Sequence, residues 1–244
     1  MIYTLQNDLI SVSIDSNGAQ PISLKSLENG KEYIYQRDPN EWPWSAPIMF
    51  PQCGNFPEGY KFKGKHYTLT NHGFLRDQEF TVEGNKFSFT STEETLKVYP
   101  FKFKAEIEFI LDRASVTQRT TIYNLDDKAL PFSIGYHTGY IFHYPTMTTA
   151  HGLNVKFTDE YLSDITRYFE APPTVHVEDD ERKIAISADE YTTLLIWAHP
   201  KGKDHMVCIE PRIDTDKENN GYPFKEMLES GKVTTFAQTI TILK

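Results

Sequence analysis

Cysteine is nearly absent from this chain: Cys53 and Cys208 are the only two in 244 residues. Two cysteines cannot build a disulfide scaffold, and neither stands at a spacing that makes a metal knuckle. Long apolar runs are missing as well. No stretch approaches the ~20 apolar residues that a membrane-crossing helix needs. The opening segment, MIYTLQNDLISVSID, has no basic start followed by an apolar run, so no signal peptide is expected. Positive charge is in deficit, with 25 Lys and Arg against 34 Asp and Glu and a net charge of −9. That disfavours nucleic acid and anionic membrane as partners, because both require clustered cations. There is no glycine loop of the kind that cradles phosphates and no serine or cysteine with a local nucleophile signature. Helical periodicity is scarce, and there is no internal repeat, low-complexity tract or linker. What remains is a globular protein expected in a reducing cytoplasm with its thiols unpaired to each other.

Aromatic residues are plentiful, at 14% with 14 Tyr, 16 Phe and 3 Trp. They favour strands, and they also line sugar pockets, because the apolar face of a pyranose packs on a ring; filling a β core accounts for most of the excess. Short alternating or β-branched segments dominate: LISVSID, KHYTLT, FKFKAEIEFIL, SVTQRTTIYN, RKIAIS, TTLLIW, MVCIE and TTFAQTITIL all read as strands. Gly84-Asn85 reads as a hairpin turn, since both residue types tolerate positive φ, and a second hairpin is expected to turn at Asp112 to Ala114. HVEDDERK reads as an exposed acidic turn. PFKEMLESGK is expected to form a short helix from Pro223 to Gly231. The fold class expected is all-β, one domain over residues 1–244, built from packed sheets.

Three motifs carry candidate chemistry. In APIMFPQCGNFPEGYKFKGKHYTLTNHGFLRD, proline and glycine mark a loop-rich region, and His72 sits at a loop tip beside Gly73, which permits close backbone approach or an unusual φ. In LPFSIGYHTGYIF, His137 interrupts an apolar aromatic strand, where a histidine is costly unless hydrogen-bonded. In HMVCIEPRID, Glu210 ends an apolar strand before a proline; facing a cavity it would be partly desolvated, which raises a carboxylate toward general-base range. Taken singly these are a turn, a satisfied core histidine and a solvated strand-end glutamate. Taken together, they can meet across one concave face. His137 and His143 with Glu210 lack metal-ligand spacing, so no metal is expected.

These residues resemble the aldose 1-epimerase (galactose mutarotase) family, and within it the branch of lactose-operon-associated mutarotase-like proteins. WSAPIMFPQCGNFPEGYKFKGKHYTLTNHGFLRDQEF is similar to the N-terminal block with its histidine-glycine-phenylalanine signature. YPFKFKAEIEFIL and NLDDKALPFSIGYH resemble the middle block that ends in the acid histidine, and MVCIEPR resembles the C-terminal glutamate-proline block. The resemblance implies an antiparallel β-supersandwich with a sugar site in its concave face and no cofactor. It implies Glu210 as general base, His137 as the acid at the ring oxygen, and His72 as a second histidine near that oxygen. Arg76 belongs to the signature. Asn55 stands where the family usually has an arginine, and Arg212 where it usually has a tryptophan. Thr138, Gly139 and Tyr140 replace the usual proline and phenylalanine after the acid histidine. The sugar-binding aspartate has three candidates, Asp159, Asp164 and Asp189.

The activity so implied is interconversion of the α and β anomers of a hexose or related aldose. The ring opens when Glu210 takes the C1 hydroxyl proton and protonated His137 donates to the ring oxygen, while His72 stabilises developing charge. Two other functions fit the resemblance. One is a hexose-phosphate mutarotase with Arg76 or Arg212 near the phosphate; the other is a non-catalytic carbohydrate-binding or regulatory protein. Asn55, Arg76 and Arg212 are the expected substrate-binding residues, with Arg212 sharing the face of Glu210 if the strand survives Pro211. Weak affinity for galactose and glucose and a preference for a negatively charged sugar are expected. The partner is a small-molecule sugar, and the chain is expected to be a monomer or homodimer.

Overall fold

The computed structural model describes residues 1–149, 154–163, 166–202, 205–213 and 223–244. Every pairing between strands among them is antiparallel. The largest sheet has nine strands and is organised on the hairpin Phe103–Asp112 and Ser115–Asn124, with Val233–Ile242 along its other side. In Phe103–Asp112 the period of two is clean: Phe103, Ala105, Ile107 and Phe109 are buried while Lys104, Glu106 and Glu108 face outward. Both predicted hairpins are present. Arg113 at the second turn has φ +52° and Gly84 at the first has φ +61°, the left-handed conformation that tight hairpins demand.

A six-stranded sheet contains Thr166–Glu170, Thr193–Trp197, Met206–Ile213, Ile134–Tyr136 and Ile48–Met49 in that order, with Thr138–Ile141 also paired to Met206–Ile213. Its strand Met206–Ile213 is buried at every position. Val207 and Ile209 join the main core, which also takes Phe103 and Ile107 from the nine-stranded sheet. Met206 and Cys208 instead join a second cluster with Tyr35 and Trp42, against which Trp44, Ile141 and Trp197 pack. The six-stranded sheet therefore separates the core from an aromatic layer on its other face. A three-stranded sheet, Ile2–Gln6, Ile10–Asp15 and Gln20–Ser26, adds Ile10, Val12, Ile14 and Leu24 to the main core.

One helical expectation needs correction. The segment after Pro223 is not a helix: Glu226–Leu228 is a strand paired with Leu130–Phe132. Its backbone is claimed by neighbours, with Lys225 N donating to Phe132 O and Ser133 Oγ, and Leu228 O accepting from Asn124 Nδ2. A short local propensity yields to an available strand edge. A helix does form at Glu93–Val98, opened by Thr92 and Thr95 in a reciprocal capping box with Glu93 and Glu94 in the first turn. Asp179 and Arg182 close the acidic HVEDDERK turn, Asp179 N donating to Arg182 O. No helix among the described residues is long and apolar enough to cross a membrane.

Candidate active site

The aromatic face of the six-stranded sheet forms the floor of a cavity of about 470 Å³. Glu210 does not end its strand. The strand runs on through Pro211 to Ile213, with Leu195 opposite Glu210 and Leu194 opposite Pro211. Alternation consequently puts Cys208, Glu210 and Arg212 on one face. Across the sheet, Gly139 is opposite Cys208 and Gly135 is opposite Arg212, which places His137 between them beside Glu210. The two glycines are required there. A Cβ on Gly135 would lie 2.5 Å from Arg212 Cβ, and one on Gly139 would lie 2.7 Å from Trp42 Cζ3. The GYHTG pattern thus leaves His137 as the one side chain of the three on this face, and lends the flanking space to Arg212 and Trp42.

His137 Nε2 is 3.3 Å from Glu210 Oε1, with both residues buried. Trp42 lies over the imidazole, ring centroids 5.0 Å apart and 29° between planes, and Trp197 meets it edge-on at 5.7 Å. Burial pushes His137 well below the ordinary histidine range, helped by His72, Arg212 and Arg76, while its own backbone carbonyl pulls the other way.

His72 approaches from a loop, its ring 5.1 Å from that of His137. Its backbone is left-handed at φ +64°, followed by Gly73 at φ +76°. A Cβ at Gly73 would sit 2.2 Å from Phe50 O, so only glycine lets this loop press against the Phe50–Pro51 segment. The loop is held by His72 N donating to Gly54 O and Phe50 N donating to His72 O. Gly54 N donates to His72 Nδ1 at 3.0 Å. A ring nitrogen that accepts carries no proton, so neutral His72 holds its proton on Nε2 and is a donor there. Burial lowers His72 to about 3, with Arg76 and Arg212 adding to the effect, so it is neutral at physiological pH.

Arg76 and Arg212 also line the cavity. The Arg76 guanidinium stacks on Trp44 at 4.4 Å, and its Nη2 donates to Asn71 O. Arg212 is 3% exposed rather than solvated. Its Nη1 is 3.7 Å from Glu210 Oε2, and its guanidinium lies 5.3 Å from the Tyr168 ring centroid.

Asn55 is different. It is exposed and outside the cavity lining, where Gly54 and Asn71 stand instead. The chain turns away at Gly54, φ +91°, so the expected contact from position 55 has no geometric basis. Asp159 and Asp189 are exposed and away from the cavity, and Asp164 lies outside the described residues. Among the described residues, the carboxylates lining the cavity are Glu210 and Glu41. Glu41 went unnoticed in the sequence, as did the clustering of all three tryptophans, Trp42, Trp44 and Trp197, in this one cavity. The signal available was EWPWS, two tryptophans bracketing a proline in a loop-rich stretch.

A ring nitrogen of His137, a Glu210 oxygen and Cys208 Sγ lie within 4.8 Å of one another. Burial, with the charge of Glu210 beside it, pushes the Cys208 thiol well above its ordinary range. Cys53 and Cys208 are buried and form no disulfide.

A family model described as aldose 1-epimerase matches residues 1–167. The chain belongs to the aldose 1-epimerase family. The matched residues include His72, Arg76 and His137, while Glu210 and Arg212 lie beyond them. The chromosomal LacX protein of Lactococcus lactis subsp. lactis is 30% identical over 152 residues, 57% of this chain and 50% of the relative. The chain thus spans about half the length of the curated relatives it matches. A galactose mutarotase related enzyme from Lactobacillus acidophilus superposes with a TM-score of 0.92 at 24% identity, over 100% of this chain and 98% of that one. A galactose mutarotase-like protein from Lactobacillus casei ATCC 334 gives 0.89 at 20% identity over all of both chains. The fold of this family member is therefore the galactose mutarotase-like all-β fold.

Proposed function

We propose that this protein is an aldose 1-epimerase that interconverts the anomers of a neutral aldose by general acid–base ring opening. The observation that carries the reading is the His137–Glu210 pair, 3.3 Å apart at the floor of a cavity walled by tryptophan. Opening a pyranose moves one proton from the C1 hydroxyl to the ring oxygen. A carboxylate and an imidazole that together hold one proton can do both halves: Glu210 takes the hydroxyl proton as His137 gives its own to the ring oxygen. Closure on the other face of C1 reverses the transfers. His72, with its proton on Nε2, donates a hydrogen bond to the developing negative charge without itself titrating. Because burial and the neighbouring arginines oppose the imidazolium, the one-proton state belongs to the pair rather than to His137 alone. Trp42, Trp44 and Trp197 supply apolar faces for the sugar ring.

The charges at the cavity support a neutral substrate. Two arginines are balanced by Glu41 and Glu210, and Arg212 is engaged by Glu210. A phosphorylated sugar is the second reading, and it rests on Arg76. Among the described residues its Nε is paired only with Asp77, at 4.0 Å, and Asp77 is half exposed. An NMR exchange assay of anomer interconversion, over free hexoses, pentoses and their 6- or 5-phosphates, tests these readings. Acceleration with free aldoses is expected. Acceleration confined to phosphorylated sugars selects the second reading. Binding without acceleration for any sugar makes the protein a carbohydrate-binding member of its family and overturns the enzymatic reading.

A further inference from the structure

We infer that Glu41 is the specificity-determining carboxylate of this cavity, a hydrogen-bond acceptor for sugar hydroxyls remote from C1. The inference rests on the aldose reading above and deepens it. Glu41 belongs to the tight turn Asp38 to Trp42, in which Glu41 N donates to Asp38 O and Asp38 N donates to Trp42 O. The next residue in the chain, Trp42, is the ring that lies on His137. The turn therefore delivers an aromatic plate and a carboxylate to one cavity from adjacent positions.

The carboxylate is held in advance of any ligand. Tyr35 Oη donates to Glu41 Oε2 at 2.7 Å, and His205 Nε2 lies 3.2 Å from the same oxygen. A carboxylate only accepts, so His205 carries a proton on Nε2. Tyr35 is buried, and burial together with Glu41 raises its phenol, which keeps it a donor. Gly202 packs behind, where a Cβ would come within 3.0 Å of Glu41 Oε2. Both anchors act on Oε2. Among the described residues, none bonds Oε1, which is the oxygen left to a ligand on a side chain that lines the cavity and is 20% exposed.

A fixed carboxylate oxygen beside aromatic faces suits a neutral polyol. Hydroxyls donate to it in charge-assisted hydrogen bonds, while the C–H face of the sugar packs on the rings. The same charge repels a phosphate or carboxylate substituent, so it selects against anionic sugars at this end. The anomeric centre belongs to His137 and Glu210, which leaves Glu41 the hydroxyls elsewhere on the ring.

The test compares wild type, Glu41→Gln and Tyr35→Phe by tryptophan fluorescence titration with D-galactose, D-glucose and their monodeoxy analogues, together with NMR anomer exchange. For Glu41→Gln, dissociation constants and KM are expected to rise about tenfold, the scale of one charge-assisted hydrogen bond, with a much smaller fall in turnover number. One deoxy analogue should bind wild type more weakly than its parent sugar but bind Glu41→Gln equally, marking the hydroxyl that Glu41 accepts. Tyr35→Phe should reproduce part of the KM effect by loosening the carboxylate. Unchanged sugar and deoxy-sugar affinities in a folded Glu41→Gln variant would overturn the assignment, as would an equal loss for every analogue. If binding depends on Glu41 but no variant, wild type included, accelerates anomer exchange, the subsite stands and the proposed reaction falls.

Discussion

The nine-stranded sheet and the six-stranded sheet use the same alternation of side chains to opposite ends. In Ser115–Asn124 one face is buried in the core and the other meets solvent, dressed with threonine ladders such as Thr117 to Thr239 and Thr121 to Thr235. In Met206–Ile213 both faces are closed. Val207 and Ile209 still face the core, but Glu210 and Arg212 line an aromatic-walled cavity and Cys208 packs against its aromatic residues. A polar residue on the outer face of the first kind of strand is at least partly solvated and chemically ordinary. The same residue on the second kind is desolvated, paired and shifted in its proton affinity. The difference lies in what covers the outer face, here the loops that carry Trp42, Trp44 and His72.

The comparison breaks most sharply at Glu210. Glu210→Gln is expected to lower anomer exchange by about 10²–10⁴-fold while the protein stays folded, read by NMR exchange and circular dichroism. Near-normal exchange in the folded variant would remove Glu210 from the mechanism. Next come the histidines. His137→Asn should cost more turnover than His72→Asn, because the first relays a proton and the second donates only a hydrogen bond; the reverse order would exchange their roles.

On the core face of the same strand, Ile209 is fully buried. Ile209→Ala should reduce unfolding free energy by about 2–5 kcal/mol in urea titrations and leave the site chemistry in place. His72 predicts a pH-dependent effect of comparable size. In the unfolded chain it binds a proton near the ordinary value of 6.5, whereas in the folded protein it does so only near 3. Its contribution to stability is complete above about 6.5 and declines as pH falls toward 3, by up to ~1.4 kcal/mol per pH unit. Urea midpoints across pH 4 to 7 should show this slope, and His72→Asn should flatten it. The smallest effect belongs to the outer face of the nine-stranded sheet. Thr117→Ala removes one cross-strand hydroxyl contact with Thr239 and should change stability by no more than about 0.5 kcal/mol.

Much of the scaffold was readable in the chain. SVTQRTTIYN is a strand over its full length, and both short hairpins turn where their residues predict. Period-two patterning and turn chemistry are local, so a linear reading captures them. The helix expected after Pro223 failed because its backbone found a partner strand nearly a hundred residues away, a fact that no local window contains. Position 55 failed for a similar reason: one residue beyond a left-handed glycine, the direction of a side chain depends on how the loop closes. His72, Arg76, His137, Glu210 and Arg212 were each found by residue type and motif, and the fold brings all five to one cavity.

By itself the sequence determined the all-β class and the hairpins, which follow from composition and from patterns a few residues long, and it supplied the candidate acid–base residues through motifs that resemble a family. Tertiary structure alone decided that Glu210 sits in mid-strand beside His137, that Gly135 and Gly139 clear the face for Arg212 and Trp42, and that Glu41 joins Glu210 at the cavity. Those outcomes depend on strand register and on loops folding over a sheet. They are long-range pairings whose energy comes from closing both faces of one strand away from water, and no short segment holds both partners.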